Sequence, residues 1–312
     1  MDPMDVALSK CSSIEDEPRQ VPVDAGAPFD RGDVILRSAD NVDFHFHKLL
    51  LSLASSFFSN MFSLPQPGAL DNAADRTKQG LPIIPVAEKS IVLRKLLGFC
   101  SPVYDTDVPA LENLDIVMSV LDAAEKYDMK RVGGFIVRMI TAPRFLEEEA
   151  MRVFAIACRY RSEEETLIAA RYMLRFAVWE PGYVSELDFI SGSDFQRLVK
   201  YHASCGQAMN QLTLLWSTYP LPLLDCKFCR KKGVSRLPPK EYQDSVIEAL
   251  RTRPSVESLL KPEWIDDMVK RAGSCISCRE SAPGKFAEYA KKLALPVMGL
   301  ILEIPLDINF RY

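Results

Sequence analysis

Residues 33–62 read DVILRSADNVDFHFHKLLLSLASSFFSNMF, and the spacing of the apolar side chains in this stretch decides the fold of the N-terminal region. Val34 to Leu36 is a short apolar run, Asp40-Asn41 is a turn signal, and apolar and polar side chains alternate from Val42 to Phe46. These features predict a β-hairpin with one buried face. From Lys48 to Phe62 the apolar residues change to helical spacing, which predicts that helical structure, with a break near Ser55-Ser56, follows the hairpin directly.

Two histidines at the end of this hairpin receive opposite predictions. His45 alternates with the apolar residues of the second strand, so its side chain is expected on the solvated face. His47 opens the helix and is expected to be a buried, hydrogen-bonded structural residue. No nucleophile or polarised group stands beside it in the sequence to make it a catalytic base.

The segments after residue 80 predict one further strand and then helices only. Ile83, Ile84 and Val86 form a short strand, and the prolines at positions 82 and 85 indicate an edge or irregular position. Helical segments are predicted at 90–99, 114–127, 129–140, 147–160, 162–176 and about 194–216, with two shorter helices that start at Pro239 and Pro262. The predicted fold class is therefore α+β, a short sheet capped by helices, followed by an all-α extension.

The hairpin and the helix after it closely resemble the opening of a BTB/POZ domain. In that family an aspartate–valine strand leads through a hairpin to a His-Lys helix and a Ser-x-Phe-Phe-x-x-Met-Phe segment, as in residues 33–36, 44–51 and 55–62 of this chain. The resemblance covers about residues 29–142. The helices from Phe145 onward are similar to the BACK-type extension that often follows such domains.

The resemblance implies a protein-interaction module, frequently a homodimer, and often an adaptor that brings substrates to a cullin-scaffolded ubiquitin ligase. Asp33 and Lys48 match the charged pocket that the family places near its dimer interface. Cullin-binding members tend to carry a hydrophobic-x-Glu motif near the third strand, whereas residues 90–95 here read SIVLRK and are basic. No additional N-terminal strand is evident for exchange between protomers.

Two CxxC pairs carry the strongest chemical signal in the chain, Cys226-Lys227-Phe228-Cys229 and Cys275-Ile276-Ser277-Cys278. Two thiolates separated by two residues can face one ion, and two such pairs supply the tetrahedral ligand set that Zn²⁺ prefers. Both pairs are expected on loops. The site is expected to be structural, because four thiolates leave no open position for a substrate water. The alternative is two unrelated pairs of reduced thiols.

His202 and Cys205 are further candidate metal ligands. They either replace one cysteine pair, help to bind a second ion, or simply pack together, since residues three apart lie on one face of a helix.

Composition and charge narrow the class of protein. The net charge of −4 argues against a broad phosphate-binding surface, so nucleic acid is not an expected partner. No secretory signal opens the chain, and the longest apolar stretch, 293–304, is too short to span a membrane, which predicts a cytoplasmic or nuclear protein. The predicted organisation is a disordered tail at 1–28, the BTB-like domain at 29–142, a BACK-like region at 143–220 and a cysteine-rich helical region at 221–312.

The function predicted from the sequence is a protein-interaction adaptor with no enzymatic activity, which recruits substrates for a cullin-based ligase and carries structural Zn²⁺. The alternative is a nuclear regulator that self-associates through its BTB-like domain and touches nucleic acid through its zinc region. That alternative needs a basic face built from Arg230, Lys231, Lys232 and Arg236.

Overall fold

The computed structural model describes residues 21–64, 77–101, 108–219, 240–260, 266, 270, 275–308 and 310. The chain divides between Gly133 and Gly134 into two compact units. Among the described helices, none is both long enough and apolar enough to traverse a lipid bilayer.

Among its described residues, the first unit is built on a sheet of five strands in the order β1-β3-β2-β5-β4. Its strands are β1 (Val23–Asp24), β2 (Val34–Arg37), β3 (Val42–Phe46), β4 (Thr77–Lys78) and β5 (Leu81–Pro85). β2 and β3 form the predicted antiparallel hairpin, and Asn41 takes a positive φ of 58° in its turn. β5 runs parallel to β2 and pairs with β4 on its other side, so it is the second strand from the end of the sheet.

The described residues of the first unit also form four helices: α1 (Lys48–Ala54), α2 (Ser56–Ser63), α3 (Ser90–Cys100) and α4 (Leu114–Lys126). Ser55 separates α1 from α2 with an extended backbone, and its hydroxyl accepts a hydrogen bond from the backbone N–H of Phe58 over 3.0 Å. The core between sheet and helices contains fully buried Ile35, Leu36, Phe44, Phe58, Leu97 and Leu121. The predicted α+β fold of this unit is confirmed.

α5 (Lys130–Met139) leads into a helical second unit. Its helices are α6 (Pro143–Arg159), α7 (Glu163–Met173), α8 (Gly192–Ala208), α9 (Leu212–Thr218), α10 (Lys240–Thr252), α11 (Val256–Leu259) and α12 (Ile276–Leu302), with 3₁₀ turns at Ser185–Phe189 and Met209–Gln211. α6 and α7 correspond to the helices predicted at 147–160 and 162–176, and they pack against each other as an αα-hairpin. Pro143 begins α6 because a proline at the first helical position removes no intrahelical hydrogen bond. The sequence patterns did not predict α12.

The predicted tail at 1–28 is wrong for the residues that the structure describes. Val23 and Asp24 pair in parallel with Val42 and Asp43, so they add a strand to the outer edge of β3. The backbone N–H groups of Val23 and Ala25 donate to the carbonyls of Asn41 and Asp43 over 3.0 and 2.9 Å. Strand pairing uses backbone groups that every residue carries, which is why the side-chain pattern gave no sign of it. Residues 1–20 lie outside the described residues.

The predictions for the two histidines are also wrong. His45 is buried, and so is its neighbour Asp43, because the segment before β2 covers this side of β3. The backbone N–H of His45 donates to the carbonyl of Phe29 over 3.1 Å. His47 is exposed at the start of α1, and its side chain makes no capping hydrogen bond. β3 therefore has two buried faces, whereas a hairpin packed on one side would have only one.

Candidate functional site

Asp33 and Lys48, the residues of the predicted partner pocket, lie beside each other in the first unit. Oδ1 of Asp33 accepts a hydrogen bond from the backbone N–H of Lys48 over 2.7 Å. Lys48 is the first residue of α1, where N–H groups have no intrahelical partner, so Asp33 supplies the cap that His47 does not. The Lys48 ammonium lies 5.8 Å from the centre of the Phe62 ring. Asp33 therefore joins the start of β2 to the start of α1.

The outer side of α1 presents two large apolar side chains. Leu49 and Leu53 are four residues apart, which places them on one face of the helix, and they are 69% and 73% exposed. Phe57, at the beginning of α2, is also exposed. Single exposed leucines are common on protein surfaces, but adjacent ones on one helix face are typical of interaction sites. We refer to Leu49, Leu53 and Phe57 as the α1 face.

The α1 face rests on a rigid support at the end of α4. The Ser55 hydroxyl donates to the carbonyl of Tyr127 over 2.5 Å, and the rings of Phe58 and Tyr127 stack with centroids 5.1 Å apart. The Tyr127 hydroxyl in turn donates to the carboxylate of Glu88. Burial and this hydrogen bond both raise the pKa of Tyr127 above its usual range. The junction between α1 and α2 is thus held against the end of α4 both by a hydrogen bond to a backbone carbonyl and by stacked aromatic side chains.

A network of ion pairs connects four strands of the sheet, including the strands at its two ends. Asp43 is fully buried, and Arg37 donates to both of its oxygens over 2.7 and 3.0 Å. The Lys78 ammonium lies 2.9 Å from Asp43 and 2.6 Å from Asp24, and so connects β4 to β3 and β1. Burial alone would raise the pKa of Asp43, but the hydrogen bonds from Arg37 and Lys78 outweigh it and hold this pKa below its ordinary value. His45 Nε2 lies 3.7 Å from the same Asp24 carboxylate.

The structure describes one of the two predicted cysteine pairs. Cys275 is the N-cap of α12 and Cys278 is buried in its first turn, so the prediction that this pair lies wholly on a loop is wrong for Cys278. Residues three apart at a helix start lie on one side of it, which suits two ligands of one ion. Cys226 and Cys229 lie outside the described residues. Across the parts of the chain that are described, no three His, Cys, Asp or Glu side chains form a group that could hold a metal.

His202 and Cys205 both lie in the buried face of α8. His202 Nε2 is 2.9 Å from the carbonyl oxygen of Phe176, and burial lowers the pKa of its imidazole. Burial raises the pKa of the Cys205 thiol to about 11. The same cause raises the pKa of Cys158 to about 12. These groups are buried among helices of the second unit, and their role as ligands stays a prediction.

The basic residues that depart from the family pattern are engaged within the first unit. The Arg94 guanidinium donates to the carbonyl of Ala25 over 2.7 Å and lies 5.4 Å from the ring centres of Phe29 and Phe44. The Lys95 ammonium bonds the carbonyl of Ala110 over 2.6 Å and the carboxylate of Glu112 over 2.7 Å. Arg230, Lys231, Lys232 and Arg236, on which the nucleic-acid alternative depends, lie outside the described residues.

Comparison with known proteins identifies the family of the first unit. Residues 28–140 match the BTB/POZ domain, a little over a third of the chain. A search of curated proteins found no match. Domains of this family are typically interaction modules rather than enzymes. The sheet of five short strands and the helices packed on it agree with this match. The protein thus consists of an N-terminal BTB/POZ domain followed by a helical C-terminal region.

Proposed function

We propose that the protein is an adaptor that self-associates through the α1 face and uses its helical region to hold a client protein. One observation carries the proposal: a BTB/POZ domain, which is generally a protein-interaction and dimerisation module, leaves Leu49 and Leu53 side by side in solvent. Burying the part of these side chains that is still exposed against a second copy would stabilise the pair by about 1 to 2 kcal/mol per leucine, before the entropic cost of association.

The mass of the full-length protein in solution tests self-association. Wild-type protein is expected to elute with about twice its chain mass of 35.1 kDa, measured by light scattering after size-exclusion chromatography. Leu49→Asp with Leu53→Asp is expected to give monomers, because each carboxylate would lose its water at the interface. Leu214→Asp with Leu295→Asp is the matched control, since these leucines are 73% and 71% exposed in α9 and α12. A monomeric wild type, or equal dissociation by the control, would contradict the proposal.

We propose more specifically that the adaptor recruits a cullin. The BTB/POZ match supports it, because the resemblance implies a family in which adaptors for cullin-scaffolded ligases are frequent. Arg94 and Lys95, which stand where that family carries an acidic motif, are paired within the domain with the carbonyl of Ala25 and the carboxylate of Glu112. Purified full-length protein is expected to bind an immobilised cullin N-terminal domain with a micromolar Kd. Absence of binding at concentrations where the protein is dimeric would reject cullin recruitment and leave self-association standing.

We also propose that Cys226, Cys229, Cys275 and Cys278 bind one structural Zn²⁺ ion in the cysteine-rich helical region that follows a BACK-like extension. The placement of Cys275 and Cys278 one turn apart at the start of α12 supports this, since both thiolates can face the same ion. Elemental mass spectrometry is expected to find about one zinc per chain, lost in Cys275→Ser with Cys278→Ser but kept in Cys11→Ser. Protein purified without added chelator that contains no zinc would reject the site.

A further inference from the structure

A cavity of about 810 Å³ opens on the second unit beside α6 and α7. Its apolar lining includes Met151, Met173, Phe176 and Val184, and the first two are almost fully buried. The volume is in the range of pockets that hold a ligand or several side chains of a peptide.

The wall of the cavity is formed where α6 is interrupted. Glu149 has φ −138° and ψ 39°, which are not helical values, so the direction of the helix changes at this residue. Residues 147–152, on both sides of this point, line the cavity. In a regular helix, consecutive residues are distributed around the axis. The interruption instead brings a short run of consecutive residues to the wall of one cavity.

The charges around the cavity leave an acidic rim. Arg152 pairs with Glu149 and, over 2.6 Å, with Glu186, so this cation is already neutralised. The two other arginines of the lining are also paired: Arg175 with Glu257 over 2.6 Å, and Arg253 with Glu180. Glu147 and Glu148 also line the cavity, are exposed, and have no ion pair with any described residue. The two carboxylates are thus available to a cationic partner.

Exposed aromatic side chains adjoin the same cavity in the sequence. Trp179 and Tyr183 are each 73% exposed, and they flank the lining residues Glu180, Pro181 and Gly182. Tryptophan is usually well buried in a monomer, whereas it is enriched at binding surfaces. This observation is independent of the charges and indicates a macromolecular partner, because the aromatic groups extend the surface beyond the cavity itself.

We propose that this cavity binds a short extended peptide of a client protein, in which lysine or arginine side chains alternate with apolar ones. The apolar residues occupy the space lined by Met151 and Phe176, and the cations pair with Glu147 and Glu148. This inference rests on the proposed adaptor function and assigns the client-binding site.

Fluorescence polarisation with the full-length protein tests the site. The probe is a short labelled peptide in which arginine and leucine alternate, and it is expected to bind with a micromolar Kd. A peptide that alternates arginine with serine and one that alternates glutamate with leucine are expected to bind at least tenfold more weakly. Glu147→Gln with Glu148→Gln is expected to weaken binding of the probe about tenfold, as the loss of two exposed ion pairs.

Glu163→Gln with Glu164→Gln is the matched control, because these adjacent glutamates are also exposed but begin α7 outside the cavity lining. Unchanged binding by this control supports the site, whereas equal weakening by both double variants overturns it. Binding of the arginine–serine peptide as tightly as the probe also overturns it. The Leu49→Asp, Leu53→Asp protein is expected to keep the affinity for the probe. Failure of peptide binding in a dimeric protein would thus reject the cavity alone, and peptide binding by a monomeric wild type would reject self-association alone.

Discussion

Replacing Gly206 by alanine gives a sharp test of how α8 and α10 pack. A Cβ atom at this position would lie 2.4 Å from the carbonyl oxygen of Arg251 and 3.2 Å from its carbonyl carbon. Both are backbone atoms, so no side chain can rotate away. An ordinary contact between carbon and oxygen is about 3.4 Å, and the two helices would therefore have to separate by about 1 Å. Overpacking costs about 1 to 3 kcal/mol, and a forced shift of the backbone places this site in the upper part of that range. Alanine gains about 1 kcal/mol in helix propensity, so we expect a net loss of about 1 to 2 kcal/mol in the free energy of unfolding.

The same substitution in α5 is expected to have the opposite sign. Cβ atoms at Gly133 and Gly134 would meet nothing within 4 Å, and neither glycine has a positive φ. Alanine at each position should stabilise the helix by up to about 1 kcal/mol. Urea denaturation followed by circular dichroism measures both effects as shifts of the transition midpoint in opposite directions. Gly206→Ala protein as stable as wild type would refute the close approach of α8 and α10.

Three further changes follow from the buried polar groups. Asp43→Asn should cost about 1 to 3 kcal/mol at neutral pH, because Arg37 and Lys78 lose a buried anion, although both cations are partly exposed and Lys78 keeps its pair with Asp24. Folding lowers the pKa of Asp43, so the ionised carboxylate stabilises the fold fully above the pKa of 3.8 that this group has in the unfolded chain, and the stabilisation is lost as the pH falls below that value. The urea midpoint of the wild type should therefore fall more steeply below about pH 4 than the midpoint of Asp43→Asn. Parallel curves for the two proteins would contradict this. Ser55→Ala should cost about 1 to 2 kcal/mol in thermal unfolding, against almost nothing for Ser63→Ala, whose hydroxyl bonds only an exposed carbonyl. Cys158 and Cys205 should resist alkylation at pH 8 in the folded protein and react in urea, with mass spectrometry locating the label; rapid native labelling would show that these thiols are accessible.

The sequence was sufficient to predict the turns and helix boundaries of the first unit wherever local residue preferences and burial agree. Asp40-Asn41 predicted the hairpin turn, and the two serines after residue 54 predicted the break between α1 and α2, because each residue type has a backbone preference of its own. The burial of His45 could not be predicted in this way. It depends on a segment far from it in sequence that pairs through backbone groups.

α12 shows why a real helix can be missed. Its buried residues fall at helical spacing, Ala282, Phe286, Tyr289, Leu293, Val297 and Ile301, but Pro283 and Pro296 lie within the same stretch. A proline inside a helix costs about 3 kcal/mol or more, and only burial of this apolar face in the folded unit offsets that cost. The hydrogen bond from the Tyr289 hydroxyl to the carbonyl of Tyr219 adds a tertiary contact that no local pattern contains.

The candidate sites could also be predicted from the sequence only in part. Family resemblance located Asp33 and Lys48, and the structure places them in contact, although through a backbone N–H rather than between the two charges. Periodicity assigned Leu49 and Leu53 to a helix but not to its exposed side. The acidic cavity of the second unit depends on the interruption at Glu149 and on three arginines that are already paired with carboxylates, and both are properties of the folded chain.

The strand order of the sheet has a consequence for how partners recognise the first unit. Within the described part of the chain, both ends of the sheet, β1 and β4, are strands of two residues. Strands this short offer few free backbone groups in a row, so an incoming chain gains little by extending the sheet, and the domain is protected against edge-to-edge aggregation. A partner therefore has to contact the side chains of the helices and not the backbone of a sheet edge, which would be the same in every protein. Partner choice in this domain can therefore change by point substitution, without any change of fold.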